Sequence, residues 1–270
     1  MQLVDIGANL THQSFAHDFD AVVADARAAG VGHIILTGTD IESSEAALFL
    51  AQKDPQFSCT AGFHPHVAAN FGAAELARIA ALAQHPELVA IGETGLDFNR
   101  NFSPQDTQRT VFEQHLQLAV ATQKPLFLHQ RDAHQPFVEL LRAYRSEIVG
   151  GVVHCFTDTE AALSDYLDLD MYIGITGWIC DERRGQPLRQ LVQQIPADRL
   201  LLETDAPYLL PRTLQPKPST RRNEPRYLVA VLEEVAVCCG RSVAQLAAET
   251  SANARKLFGS RLEQVPETAD

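Results

Sequence analysis

The sequence predicts an α/β protein, a closed (β/α)8 barrel of the TIM type. Eight short apolar runs alternate with longer amphipathic ones, the pattern of repeated β–α units. Runs such as His33-Ile34-Ile35-Leu36 are apolar without a break, which suits strands buried on both faces of a parallel sheet. The 270 residues accommodate eight such units, close to the usual size of a barrel. A doubly wound open sheet is the second choice.

The strands are expected at Leu3–Gly7, His33–Thr37, Phe57–Ala61, Val89–Gly92, Leu126–His129, Gly151–His154, Met171–Gly174 and Leu200–Thr204. In the first helix, Phe15, Phe19, Val22, Val23 and Ala26 recur at helical spacing, and Gly30 supplies a stop. Helices are also expected at Ser43–Lys53 and Ala73–Gln84. The next begins at Ser103-Pro104-Gln105-Asp106, where Ser can cap, Pro fits the first turn and Asp meets the positive helix end. Val111, His115 and Leu118 mark its inner face. The rest are expected at Ala133–Tyr144, Glu160–Leu169, Pro187–Gln194, Arg226–Cys239 and Val243–Phe258. The division is one barrel domain over residues 1–260 and a polar tail over 261–270.

Composition narrows the function. The net charge of −12 argues against broad coating of nucleic acid or membrane, though not against a small basic site. The five cysteines are scattered without a C-x-x-C pair, so neither a disulfide framework nor a cysteine zinc site is expected. The start, Met1-Gln2-Leu3-Val4-Asp5, lacks the features of a secretory leader. The longest stretch free of charged residues, Pro55–Ala74, is broken by Pro65 and two histidines, which makes a membrane span implausible. A cytoplasmic monomer is expected.

A barrel carries its chemistry just beyond the carboxyl ends of its strands. There stand Glu93, His129, His154 and Asp205, from strands four, five, six and eight. Any one of them alone would be read as a hydrogen-bonded structural group. Together, imidazoles and carboxylates converging on one mouth offer the lone pairs that a divalent ion needs. Such an ion polarises a phosphoryl group, and Asp205 is placed to take a proton from water. Glu203, two residues earlier, shares a side with Asp205 by strand alternation; it either orients a ligand histidine or forms a buried ion pair. His64 and His66 either touch a phosphate or simply shape the turn around Pro65.

Four stretches carry a resemblance: Gly-Phe-His-Pro-His at 62–66, Ile-Gly-Glu-Thr-Gly-Leu-Asp-Phe at 91–98, Val-His-Cys-Phe at 153–156 and Glu-Thr-Asp-Ala-Pro-Tyr-Leu at 203–209. With them the chain resembles, over nearly its whole length, the TatD family of metal-dependent deoxyribonucleases, among the amidohydrolase-like metallohydrolase barrels. Asn99–Phe102 and Ile175–Trp178 resemble one branch of that family. The resemblance implies a divalent metal, Mg²⁺ or a similar ion such as Mn²⁺, and hydrolysis of DNA phosphodiesters by an exonuclease. It implies metal ligation by Glu93, His129 and His154, with Asp205 as ligand or general base. Many relatives carry His-x-His after strand one, where this chain has Asn9-Leu10-Thr11. Two nitrogen ligands are gone. Asn9 can offer an oxygen instead, while strand periodicity does not turn His12 inward. Oxygens in place of imidazoles favour Mg²⁺ or Mn²⁺ over zinc.

The connection after strand eight holds Arg212, Lys217, Arg221, Arg222 and Arg226 against Asp205 and Glu224, with five prolines. A basic loop at one rim of an acidic barrel can position a phosphate backbone, and Arg221 with Arg222 is the central pair. Arg131, Arg183 and Arg184 can join it. The other reading is a solvated loop with internally paired arginines. A local grip suits single-stranded DNA or strand ends better than a wrapped duplex, with His64, Arg221 and Arg222 as substrate contacts. Two alternatives remain open: a metal-dependent hydrolase of a small phosphorylated, amide or ester substrate, and a catalytically weak binding barrel.

Overall fold

The computed structural model describes residues 2–263. Eight strands run β1 Leu3–Ala8, β2 Val31–Leu36, β3 Phe57–Ala61, β4 Leu88–Asp97, β5 Leu126–Arg131, β6 Gly151–Val153, β7 Tyr172–Ile175 and β8 Leu200–Leu202. They pair in chain order from β1 to β8, and each neighbouring pair in that order is parallel. Helices α1 Phe19–Ala28, α2 Ile41–Lys53, α3 Ala73–Leu82, α4 Gln105–Thr122, α5 His134–Tyr144, α6 Glu160–Asp168, α7 Gln186–Leu191 and α8 Leu228–Cys239 follow the strands one by one. A ninth, α9 Val243–Phe258, comes last.

The ring closes just beyond β8. Asp205 N–H donates to Gly7 O at 2.8 Å, and Asn9 N–H donates to Ala206 O at 2.7 Å. Asp5, fully buried on β1, accepts from the Thr204 amide at 2.9 Å and the Thr204 hydroxyl at 2.5 Å. Burial lifts the Asp5 carboxyl to about 7, against the bonds from Thr204 and Gly7. Its folded pKa thus lies above the unfolded value of about 3.9. The stability it contributes is fully present below about pH 4 and is lost as pH rises through 7, at roughly 1 kcal/mol per pH unit. Asp5→Asn, which keeps the neutral form at every pH, is expected to flatten that part of the stability profile. Urea midpoints at pH 5 and pH 7 check this; an unchanged slope would assign the pH dependence to other groups.

The core has two parts. A large apolar layer lies between the strands and the surrounding helices. A smaller cluster, including Val4, Ile6, Ile35, Phe127, Val152 and Leu201, is joined by Ala254, Phe258 and Leu262 from α9 and the turn after it. The cluster thus unites alternate strand residues with the chain's last helix, apart from the polar carboxyl ends of the strands. The packing reaches Leu262, inside the tail expected over 261–270, of which residues 264–270 lie outside the described residues.

Boundaries differ from expectation where polar residues continue a strand. β4 runs to Asp97 rather than Gly92, and β5 to Arg131. β8 stops at Leu202, so neither Glu203 nor Asp205 is within it. The chain around Phe15 forms a 3-10 turn, and α1 starts at Phe19. Ser103 does not cap α4. Its hydroxyl instead accepts from the Ala69 amide and donates to His66 O, tying two mouth loops together.

Candidate metal centre

Three imidazoles meet one carboxylate oxygen. His64 Nε2, His129 Nδ1 and His154 Nε2 lie 3.3, 3.0 and 2.9 Å from Glu93 Oε1. The pleat explains two of these positions. His129 and His154 each stand two residues beyond an inward apolar residue, Phe127 and Val152, so alternation carries them over the mouth. Close backbone approach explains the others. A Cβ on Gly62 would come within 2.6 Å of the Gly92 backbone, so the β3–α3 loop can lie against β4 only because residue 62 is glycine. His115 on α4 then holds that loop, accepting from Phe63 N–H at 3.1 Å and donating to Val111 O.

A second layer fixes the first. Glu203 is completely buried; its Oε2 lies 3.3 Å from His154 Nδ1 and its Oε1 accepts from Cys155 N–H at 2.6 Å. A Cβ on Gly7 or Gly174 would strike this carboxylate, so the two glycines shape its slot. Asp97 takes a hydrogen bond from His66 Nε2 at 2.7 Å, and its Oδ2 lies 3.5 Å from His129 Nε2. Asp205 accepts from Asn9 Nδ2 at 3.1 Å. The three imidazoles, Glu93, His66, Asn9 and Asp205 line a cleft of about 580 Å³ at the mouth.

The electrostatics follow from proximity. Burial lowers the His64 pKa to about 4 and leaves it a neutral imidazole with a lone pair to give. Burial works against a charged Glu93, but His154, His64 and His129 outweigh it and hold its carboxyl well below the usual range. For His154 burial is likewise outweighed, here by Glu93 and Glu203, and its pKa stands well above normal. Burial raises Asp205 to about 7, with His154 opposing and Glu93 and Glu203 assisting. The donor set fits a cation. His64, Glu93 and His129 offer ligand atoms within 4.8 Å of one another. His129 Nε2 is a buried nitrogen without a hydrogen-bond partner. A cation here would take the place of the protons that the histidines otherwise hold between carboxylates.

The structure brings Glu93, His129, His154 and Asp205 to one cleft. It also places His64, an expected substrate contact, beside Glu93 and His129. His12 also lines the cleft, contrary to strand periodicity, because β1 ends at Ala8 and the chain turns there. Sequence reasoning misses Asp97 and its pairing with His66. A signal for it exists: Glu93, Gly95 and Asp97 alternate on one strand.

The two arginines of the basic pair have different surroundings. Arg222 does not face the cleft. Its guanidinium binds Asp18 through both nitrogens at 2.9 and 2.6 Å, Glu224 at 2.9 Å and Ser14 O at 2.6 Å, and lies over Phe15. Arg226 is paired with Asp25 and Glu224, and Arg212 with Asp181. Acidic side chains of the first unit, invisible to local composition, take up the charge of Arg222 and Arg226. Arg221 is exposed. Arg222→Ala is therefore expected to lower the urea midpoint and leave the salt dependence of DNA binding unchanged. Arg221→Ala should flatten log affinity against log salt by about 0.7 for a single strand if it holds one phosphate. The reverse assignment of the two effects would restore Arg222 as a phosphate contact.

A parallel eight-stranded barrel whose mouth gathers histidines and carboxylates around one point defines the class of metal-dependent hydrolase barrels. Within that class, this chain belongs to the TatD-related DNase family, whose sequence profile matches residues 4–259. It is 52% identical over 261 residues to a Citrobacter rodentium protein named 3′-5′ ssDNA/RNA exonuclease TatD, covering 97% of this chain and 99% of that one. A protein of the same name from Salmonella typhimurium is 52% identical over 256 residues, covering 95% and 98%. Among solved structures, the TatD homologue YJJV of Escherichia coli K12 superposes with a TM-score of 0.87 at 26% identity, over 95% of this chain and 97% of that one.

Proposed function

We propose that this chain is a metal-dependent exonuclease that hydrolyses phosphodiester bonds at ends of single-stranded DNA. The relatives' names extend the reading to RNA and to attack from the 3′ end. The convergence of His64, His129 and His154 on Glu93 Oε1 carries it. Glu93, His129, His154 and His64 would hold the ion, with Asp205 beside them. When bound, a divalent ion offsets charge developing at phosphorus and makes water a better nucleophile. Asp205 then takes a proton from the attacking water, held in place by the Asn9 amide. Glu203 fixes the His154 ring, and Asp97 the His66 ring.

Mg²⁺ is the proposed ion. With His64 included, the donor set is richer in nitrogen than the sequence suggested, and Mn²⁺ stands beside it. Every residue of the cluster comes from one chain, so a monomer suffices. Five free cysteines support a reducing, cytoplasmic setting, and among the described residues no helix is long and apolar enough to cross a membrane.

The test is a time course on single-stranded and duplex DNA labelled at either end, with Mg²⁺, Mn²⁺ or EDTA. Stepwise shortening from the 3′ end of the single strand, only with an ion, is expected. Undiminished cleavage after complete metal removal would overturn the reading.

A further inference from the structure

We propose that Phe102 and Tyr208 are two base-stacking platforms on opposite flanks of the mouth, holding bases of a single strand on either side of the phosphate under attack. The proposal rests on the nuclease reading above and adds how the strand is held and why it must be single.

Among the described residues, three aromatic side chains are strongly exposed: Phe49, Phe102 and Tyr208, at 56%, 65% and 51%. Phe49 lies on the outer helix α2, beneath Lys53. The other two flank the cleft. Phe102, in the loop after β4, sets its ring 4.8 Å from His66 in an edge-to-face contact. Tyr208, after β8, stands 6.1 Å from His12 in the same geometry. His66, His12 and Tyr208 line the cleft. Since the strands follow chain order, the β4 and β8 ends stand half a turn of the barrel apart, with the Glu93 cluster between.

A single exposed aromatic ring is ordinary on a protein surface; here two of them flank one cleft, each set edge-on against a histidine that lines it. The loop of Phe102 is built to hold the ring out. Asp97 Oδ1 accepts from the Asn99 and Arg100 amides at 3.0 and 2.9 Å, and Asn101 Nδ2 donates to Phe98 O at 2.6 Å. Asn99 Nδ2 donates to Asp132 at 2.7 Å. A ring fixed in advance loses little freedom on binding. Tyr208 is tied by its amide to Asp205 O at 2.9 Å, one turn from the proposed base. The exposed Arg100 lies 6.0 Å from the Phe102 ring, within reach of a neighbouring phosphate. Bases in a duplex are stacked on each other and offer no free face, whereas each base of a single strand does. The same geometry ignores base identity, because every base has a π-face.

The test compares wild type, Phe102→Ala and Tyr208→Ala on a short DNA strand with all its bases, and on strands abasic at the terminal or the penultimate position. On the complete strand each variant should raise KM about tenfold, with kcat within about twofold. On the strand lacking the base that the ring covers, the variant should cost nothing beyond the missing base. Phe102→Trp should restore the wild-type KM, which a role limited to loop packing would not require. Unchanged KM, or the same loss on complete and abasic strands, overturns the proposal. If wild type with Mg²⁺ or Mn²⁺ cuts none of these strands, the nuclease reading fails first and the platforms fall with it.

Discussion

Glu93→Gln is expected to lower cleavage of single-stranded DNA by on the order of 10³-fold or more, with the barrel still folded. Glu93 is the one group that all three imidazoles approach, so its charge both anchors the ion and orders the ring cluster. A metal in such a site supplies several kcal/mol of transition-state stabilisation, and each 1.36 kcal/mol is about tenfold in rate. Glutamine is nearly isosteric and neutral, so the change leaves no unpaired buried charge on residue 93. The loss should fall on kcat, because the proposed strand contacts lie further out on the rim. His129→Ala and His154→Ala should fall with it. Single-turnover rates at saturating DNA, with circular dichroism as the folding control, decide the matter. A Glu93→Gln protein that keeps the wild-type rate in Mg²⁺ would remove this cluster from the chemistry.

Asp205→Asn is expected to separate binding from catalysis. An asparagine can still accept the Asn9 amide and still present an oxygen toward the cleft, but it cannot take a proton from water. Loss of a positioned base costs about 10²- to 10⁴-fold. Calorimetric Mn²⁺ affinity should stay within about tenfold of wild type, in contrast to Glu93→Gln. Asp205 sits at φ 55°, in the left-handed region that asparagine also tolerates, so the backbone has no new reason to move. A wild-type rate in this variant would assign the proton to another group, and a lost affinity would make Asp205 chiefly a ligand.

Much of this site is legible in the sequence because apolar strand interiors set the phase of the residues after them. Phe127 and Val152 point inward, and His129 and His154 inherit their direction. Phase is lost where a strand ends or bends. β8 stops at Leu202, so alternation does not reach Glu203 or Asp205; Glu203 faces His154 because Gly7 and Gly174 leave space for it. β4 shifts register between Gly92 and Thr94, and its second half is polar, which hides both its length and Asp97. His64 becomes a candidate ligand through the contact of Gly62 with Gly92, a relation between two segments that neither displays alone. The internal pairing of Arg222 is hidden for a similar reason. Its partner Asp18 is 204 residues away, and the charge of a loop says nothing about what the fold places opposite.

The seam that closes the ring has a consequence for how the protein comes into being. Asn9 and Asp205 are 196 residues apart and meet only when the eighth unit docks on the first. At about 5–20 residues per second, the ribosome delivers the second of them roughly 10 to 40 s after the first. Throughout that interval the nascent chain displays Glu93, His129 and His154 in turn, but lacks both the proposed proton acceptor and the Thr204 partner that neutral or charged Asp5 awaits. A chain broken off before residue 205 can therefore never gain the full centre. The proposed centre is thus complete only once the segment after β8 has docked against β1.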